Sequence, residues 1–143
     1  MSRNIAIIGD GGWGTALGLL LQRQGHHVRI WGPFPDYIRR IRERHENELY
    51  LPGIPLPPEL LWTADREEVL VGAEVLILAV PSRFFGPVVA GFAGLVPAGC
   101  TVVSATKGLD PDSLRRMTEV AQALLKLEAV AALSGPSFAS EVA

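Results

Sequence analysis

Two hydrophobic patterns alternate along the chain. Short uninterrupted apolar runs are typical of strands buried on both faces, whereas the segments between them repeat apolar residues every three or four positions, as amphipathic helices do. The predicted strands cover residues 4–8, 27–31, 61–63, 75–80, 101–105 and 129–133. The predicted helices cover residues 13–24, 36–44 and 65–70, with two more that begin at Asp110 and Phe138. This order predicts an α/β protein with a mainly parallel sheet and helices on both faces.

Cap and turn residues delimit these elements. Gly25 stands where a left-handed C-terminal cap of the first helix is expected, and Asp110 followed by Pro111 is typical of a helix start. Residues 49–61 are rich in proline, which excludes a helix and predicts an ordered but irregular connection. The expected inward positions are Ala16, Leu17, Leu20 and Leu21 in the first helix, and Leu114, Met117, Ala121, Leu124 and Leu125 in the helix after Asp110.

The composition narrows the class of protein. The 143 residues are 48% hydrophobic and 20% charged, which is typical of one packed domain. The formal net charge of −2 excludes the basic field that non-specific nucleic-acid binding requires. The single cysteine, Cys100, excludes an internal disulfide, and neither a signal peptide nor an apolar stretch of about 20 residues is recognisable. We therefore expect a cytoplasmic protein with no membrane insertion.

A glycine-rich turn joins the first predicted strand to the first predicted helix. Residues 9–14, GDGGWG, match the G-x-G-x-x-G fingerprint between a strand and a helix, which is the context that the fingerprint needs. In such a turn Gly9 permits the tight bend, Gly11 lets backbone amides approach a pyrophosphate, and Gly14 lets the helix pack closely on the strand. The motif predicts a Rossmann-type doubly wound fold that binds NAD or NADP, with a merely flexible turn as the alternative.

The position that usually recognises the adenosine ribose is unusual here. In this fold an acidic residue about 20 positions beyond the glycine turn binds the ribose of NAD, and an arginine accommodates the phosphate of NADP. The second predicted strand instead ends in Trp31, Gly32, Pro33 and Phe34. Arginines at positions 39 and 40 could reach a 2′-phosphate, but on the outer face of a helix they are more often solvated. The choice between NAD and NADP therefore stays open.

Three further segments, 80–84, 105–108 and 134–137, directly follow predicted strands. Ligands in open α/β sheets bind beyond the carboxyl ends of strands, so we expect these segments around the dinucleotide. Lys107 could polarise a carbonyl or pair with a phosphate, unless it is an ordinary surface lysine. Gly135 and Ser137 could offer an amide and a hydroxyl to an anion, or simply precede a helix as its cap.

For the other candidate metal-binding or nucleophilic residues, the sequence favours an ordinary structural role. The three histidines and Cys100 lack the spacing of metal ligands, so no metal site is predicted. We expect Cys100 to fill a buried position rather than to act as a nucleophile. Trp13 and Tyr50 could belong either to the core or to the wall of a cofactor cleft.

Five motifs in a fixed order resemble NAD(P)-dependent glycerol-3-phosphate dehydrogenase. They are GDGGWGTAL at residues 9–17, NELYLPGI at 47–54, AVPS at 79–82, ATKGL at 105–109 and SGPSFASEVA at 134–143. The whole chain is similar to the N-terminal domain of these enzymes, which continue into an all-helical domain that is missing from this sequence. The resemblance implies that residues 1–143 form the dinucleotide-binding domain, that a helical domain docks on it, and that the chain alone is inactive.

The resemblance also implies an activity and roles for individual residues. The reaction would be the reversible reduction of dihydroxyacetone phosphate to sn-glycerol 3-phosphate, which feeds glycerophospholipid synthesis. Lys107 would contact cofactor and substrate, Gly135 and Ser137 would contact substrate, and the proton-transferring lysine would belong to the missing domain. Beside Gly9, Gly11 and Gly14 of the fingerprint, the residues implied to line the cofactor are Gly12, Trp13, Pro33, Tyr50, Phe84, Lys107 and Ala139.

Two departures from the family pattern affect the cofactor site. Gly12 replaces the usual serine of the glycine turn and removes a hydroxyl, and Pro33 replaces a frequent histidine or arginine, which weakens the case for NADP. A non-catalytic dinucleotide sensor, or a dehydrogenase of another hydroxy acid or sugar phosphate, stays an alternative function. The sequence does not decide whether the protein forms a homo-oligomer.

Overall fold

A computed structural model describes all residues from 1 to 143. It contains eight strands and six helices. In chain order they are β1 (Asn4–Ile8), α1 (Gly12–Arg23), β2 (His27–Trp31), α2 (Pro35–Arg44), β3 (Glu46–Asn47), β4 (Leu51–Pro55), β5 (Leu61–Thr63), α3 (Arg66–Leu70), β6 (Val75–Leu78), α4 (Ser82–Ala90), β7 (Thr101–Ser104), α5 (Met117–Leu125), β8 (Ala131–Ala132) and α6 (Ala139–Val142).

Six of the strands form one parallel sheet in the order β5-β2-β1-β6-β7-β8. β1 lies at its centre, where Ile7 is paired with Ile30 of β2 on one side and with Ile77 of β6 on the other. The chain runs outward from β1 in both directions, so the carboxyl ends of β1 and β6 meet at a topological switch point. The predicted Rossmann-type doubly wound sheet is thereby confirmed.

Two hydrophobic clusters cover the two faces of the sheet. Ile5 and Ile7 of β1 contribute to one cluster together with residues of α1 and α2, whereas Ala6 and Ile8 contribute to the other together with residues of α4 and α5. Alternate residues of one strand therefore point into opposite cores, which is why the strand reads as an uninterrupted apolar run. The predicted helices on both faces are confirmed.

Some predicted boundaries and inward positions are wrong. Helix α1 ends with Gly25 in the left-handed conformation, as expected, but Leu19 rather than Leu20 is buried on its inner side. Residues 110–113 form a turn instead of a helix, because the Asp110 carboxylate accepts hydrogen bonds from the Ser113 N–H and hydroxyl. Leu114 adopts a positive φ of 56° and is exposed, and α5 begins only at Met117.

Three elements are missing from the sequence prediction, namely helix α4 and the strands β3 and β4. Helix α4 contains Gly86 and Pro87, both poor residues for a helix interior, yet it buries Phe85 and Val89 in the core. The proline-rich stretch is more regular than expected, since β4 pairs with β3 as a small antiparallel sheet. None of the six helices has the length and apolar character needed to cross a bilayer.

Candidate functional site

The first turn of α1 points its free backbone amides into the switch point of the sheet. Gly11 is the N-cap residue and provides no side-chain cap, and no acidic residue lies in the first turn. The N–H groups of Gly12, Trp13 and Gly14 therefore lack an intrahelical acceptor. A helix N-terminus with unpaired amides and the positive end of its dipole is a binding site for phosphate groups.

Different glycines of the turn are required for different structural reasons. Gly9 has a φ of 124°, and a Cβ there would lie 2.8 Å from the Ala79 carbonyl carbon. A Cβ on Gly14 would overlap the Gly9 carbonyl oxygen. By contrast, the Cβ position of Gly11 has no atom within 4 Å. Gly9 and Gly14 therefore allow the strand and helix to approach each other, whereas Gly11 leaves room for a ligand.

Gly12 allows a different close approach. A Cβ on Gly12 would lie 2.6 Å from the carbonyl oxygen of Tyr50, so the segment after β3 rests directly on the glycine turn. A serine at position 12, the residue expected from the family resemblance, would require the backbone at Tyr50 to move. The glycine at this position thus allows direct contact between two cleft-lining segments.

A buried asparagine, for which the sequence pattern predicts no role, fixes the glycine turn. Asn47 is fully buried, and its Nδ2 donates to the Asp10 carbonyl and to Thr15 Oγ1, both at 2.8 Å. Its Oδ1 accepts from the Tyr37 hydroxyl at 2.6 Å, and Thr15 Oγ1 donates to the Gly11 carbonyl at 2.8 Å. Asn47 shows no periodic signal in the sequence, because its partners are brought together only by the fold.

The larger cleft beside the turn has a volume of about 520 Å³. Its floor contains Gly9 and Gly11, and its walls contain the exposed rings of Phe34, Tyr50 and Phe84. The other lining residues are Asp10, Gly12, Trp31, Pro33, Val80, Pro81, Arg83, Pro87 and Val88. Apolar walls with a few polar groups are typical of cofactor sites. Pro33, Tyr50 and Phe84, all implied by the resemblance, therefore share one cleft.

A second cleft, of about 350 Å³, shares Gly11 and Gly12 with the first and extends toward β7 and α6. Lys107 lies at this cleft, where its Nζ donates to the Ser137 carbonyl at 2.9 Å. The same ammonium lies 5.3 Å from the centroid of the Trp13 ring, a cation–π distance. Trp13 Nε1 donates to the Ala105 carbonyl at 3.2 Å. The tryptophan is therefore a cleft wall that holds the lysine.

The remaining candidate residues lie in different places. Ser137 and Ala139 line the second cleft, whereas Gly135 is exposed and lines neither of the two clefts. Arg39 pairs with Asp36 at 3.0 Å and Arg40 pairs with Glu48 at 2.6 Å. These surface ion pairs agree with the solvated alternative for both arginines.

Asp10 is an acidic residue inside the glycine turn. It lines the larger cleft, and its Oδ2 is buried without a hydrogen-bond partner. Burial raises the pKa of the Asp10 carboxyl above its ordinary value, and the backbone N–H of the same residue acts in the opposite direction. The signal that could have drawn attention to it is a charged residue at a position flanked by glycines in the fingerprint.

Comparison with protein-family models gives a match over almost the whole chain. Residues 4–143 match the model described as NAD-dependent glycerol-3-phosphate dehydrogenase N-terminus. A curated relative from Stenotrophomonas maltophilia (strain K279a), a glycerol-3-phosphate dehydrogenase [NAD(P)+], is 46% identical over 139 residues, which cover 96% of this chain and 41% of the relative. A relative of the same name from Citrifermentans bemidjiense is 40% identical and covers all of this chain and 44% of the relative.

Solved structures show the same similarity. The crystal structure of a glycerol-3-phosphate dehydrogenase from Coxiella burnetii superposes with a TM-score of 0.90 at 37% identity, over 99% of this chain and 43% of that chain. This chain therefore spans less than half the length of the relatives it matches.

Proposed function

The chain belongs to the family of NAD-dependent glycerol-3-phosphate dehydrogenase N-terminal domains, and from this premise we propose that it binds NAD or NADP at the first turn of α1. The observation that carries the proposal is the uncapped helix N-terminus beneath the open space at Gly11. A pyrophosphate against these amides would satisfy donors that have no partner in the protein. The two clefts on either side would take the two ends of the dinucleotide.

The rings around the larger cleft fit a planar base. Phe34, Tyr50 and Phe84 are each about half exposed or more, and the Arg83 guanidinium lies 4.6 Å from the centroid of the Phe84 ring. Exposed aromatic rings are costly to leave in water and are suited to stacking. We assign this cleft to the adenosine half of the cofactor and the second cleft, with Trp13, Lys107 and Ala139, to the nicotinamide half.

We infer that the complete protein interconverts dihydroxyacetone phosphate and sn-glycerol 3-phosphate, as a step toward glycerophospholipids. A bound nicotinamide dinucleotide would supply or accept the hydride. Lys107 would place its positive charge beside the substrate, since the Ser137 carbonyl and the Trp13 ring hold the ammonium at the second cleft. Such a fixed charge stabilises developing negative charge without reorganisation during the reaction. Ser137, which lines this cleft, would contribute to the same substrate site. Gly135 lies outside the cleft and would reach a substrate only through the segment that it shares with Ser137.

The rest of the protein would complete this half-site. Because the relatives are more than twice as long as this chain, we expect a helical domain to dock beside α6 and to provide the proton-transferring lysine. Phe138, which lines the second cleft, and Leu133, which follows β8, are both exposed and provide apolar surface for that contact. A cytoplasmic location belongs to the same proposal.

Calorimetric titration of the chain with NADH and NADPH tests the binding proposal. Gly11→Leu should abolish binding, because the new side chain would enter the open space over the α1 amides. Gly86→Leu is the matched control: its Cβ position is equally open but lies outside both clefts, so binding should be retained. Absence of binding in the wild type, or equal binding by both variants, would contradict the assignment.

The role of Lys107 requires a separate test in the full-length enzyme. Lys107→Ala should weaken dinucleotide binding far less than it lowers turnover, because the α1 amides still hold the pyrophosphate whereas the charge at the substrate site is removed. A purely sensory dinucleotide protein would keep its output after this substitution.

A further inference from the structure

The strand end that usually carries the ribose-binding acid has no side chain here that can accept a hydrogen bond. Gly32 directly follows the last residue of β2, and Pro33 and Phe34 come next. In dinucleotide-binding folds, a carboxylate at this strand end accepts hydrogen bonds from the adenosine ribose hydroxyls of NAD. None of these three residues can accept such a bond through a side chain.

A carboxylate nevertheless lies at this strand end, supplied by a different part of the backbone. A Cβ placed on Gly32 would lie 2.6 Å from Cγ of Asp10 and would overlap its Oδ2. The Asp10 carboxyl thus fills the space in which a side chain at position 32 would begin. Gly32 is compatible with Asp10 because it leaves that space free.

One oxygen of the Asp10 carboxyl also lacks the partner that a buried acid needs. Its Oδ2 is buried and accepts no hydrogen bond, although an unpaired buried carboxylate is strongly unfavourable. The residue lines the cleft that we assign to the adenosine half of the cofactor. A ligand that brings hydroxyl donors to this point would satisfy the carboxylate, whereas a ligand that brings a second anion would be repelled.

On the basis of the proposed dinucleotide site, we propose that Asp10 is the ribose-recognising residue of this chain and selects NAD over NADP. The ribose of NAD presents hydroxyl donors, and the 2′-phosphate of NADP presents negative charge at the same place. The cation among the residues that line this cleft is Arg83, which lies against the Phe84 ring of α4. Arg39 and Arg40 are paired with carboxylates of their own, so they do not offset the charge of Asp10.

Titration of the chain with NADH and NADPH, in the wild type and in Asp10 variants, tests this assignment. The wild type should bind NADH more tightly. Asp10→Ala should weaken NADH binding about 10-fold or more, the usual effect of losing a hydrogen bond to a charged group, and should bind NADPH no worse than the wild type does. Asp10→Asn keeps the shape and an acceptor but removes the charge, so it should improve NADPH binding while retaining part of the NADH affinity.

A double variant provides the rescue. Asp10→Ala combined with Gly32→Asp moves the carboxylate from the glycine turn to the strand end, so it should restore the preference for NADH that Asp10→Ala loses. A wild-type preference for NADPH, or an NADH-to-NADPH affinity ratio that is the same in the wild type, Asp10→Ala and Asp10→Asn, would overturn the assignment but leave the proposed dinucleotide site intact. Failure of the wild type to bind either nucleotide would overturn both.

Discussion

Replacing Asn47 with alanine tests how the glycine turn is held in place. The substitution removes two donors, to the Asp10 carbonyl and to Thr15 Oγ1, and the acceptor of the Tyr37 hydroxyl. Tyr37 is half-buried, so its hydroxyl can turn to water, whereas the groups facing the buried amide cannot. The Asp10 carbonyl is left without this partner, which costs about 1–3 kcal/mol, and Thr15 Oγ1 loses one hydrogen bond but keeps the one to Gly11, which costs about 0.5–1.5 kcal/mol. We therefore expect a total loss of about 2–4 kcal/mol in the free energy of unfolding.

Urea unfolding followed by tryptophan fluorescence measures this loss. The chain has one other asparagine, Asn4, which is exposed and provides a control of the same residue type. Asn4→Ala should change the free energy of unfolding by less than about 0.5 kcal/mol. The Asn47 variant should also bind NADH more weakly under conditions where it is fully folded, since the turn would no longer be fixed. If both alanine variants were equally stable, the proposed role of Asn47 would be wrong.

The glycine turn, the cleft carboxyl and the lone thiol each give a further prediction. Gly14→Ala should lower the free energy of unfolding by about 1–3 kcal/mol, because its methyl group would overlap the Gly9 carbonyl oxygen; in urea unfolding, a loss no larger than that of Gly11→Ala would contradict this. Asp10→Asn should be more stable than the wild type at neutral pH. Burial raises the pKa of the Asp10 carboxyl in the folded state above the ordinary value of 3.8, so the folded state holds this proton more tightly than the unfolded state does. The wild type therefore loses stability as pH rises from 3.8 through the raised folded pKa. In unfolding measured against pH, that difference should shrink as pH falls toward 3.8, and a pH-independent difference would count against it. Burial raises the pKa of the Cys100 thiol, so its alkylation should be slower in the folded chain than in urea, and equal rates would refute this.

The parts of the fold that the sequence predicts correctly are those fixed by local patterns. The apolar runs of β1 and β6 are buried on both faces, so any register leaves them recognisable as strands. Gly25 marks the end of α1 because its positive φ of 87° favours glycine. The glycine turn is recognisable for the same reason, since close backbone approach at Gly9 and Gly14 leaves no room for a side chain.

The features that the sequence does not predict depend on tertiary contacts. Helix α4 forms despite the poor helix propensity of Gly86 and Pro87, because Phe85 and Val89 are fully buried against the sheet. Asp110 looks like a helix cap, but a competing turn with Ser113 uses the same carboxylate. Within the site, the interaction of Asp10 with the strand end at Gly32 joins residues 22 positions apart, and no spacing rule identifies it.

Backbone amide spectroscopy of the isotopically labelled chain tests the dinucleotide site most directly. When NADH is added, the N–H signals of Gly11, Gly12, Trp13 and Gly14 should show the largest chemical-shift changes, because these groups would donate to the pyrophosphate. Unchanged signals at these four residues, together with shifts confined to another part of the surface, would contradict the site.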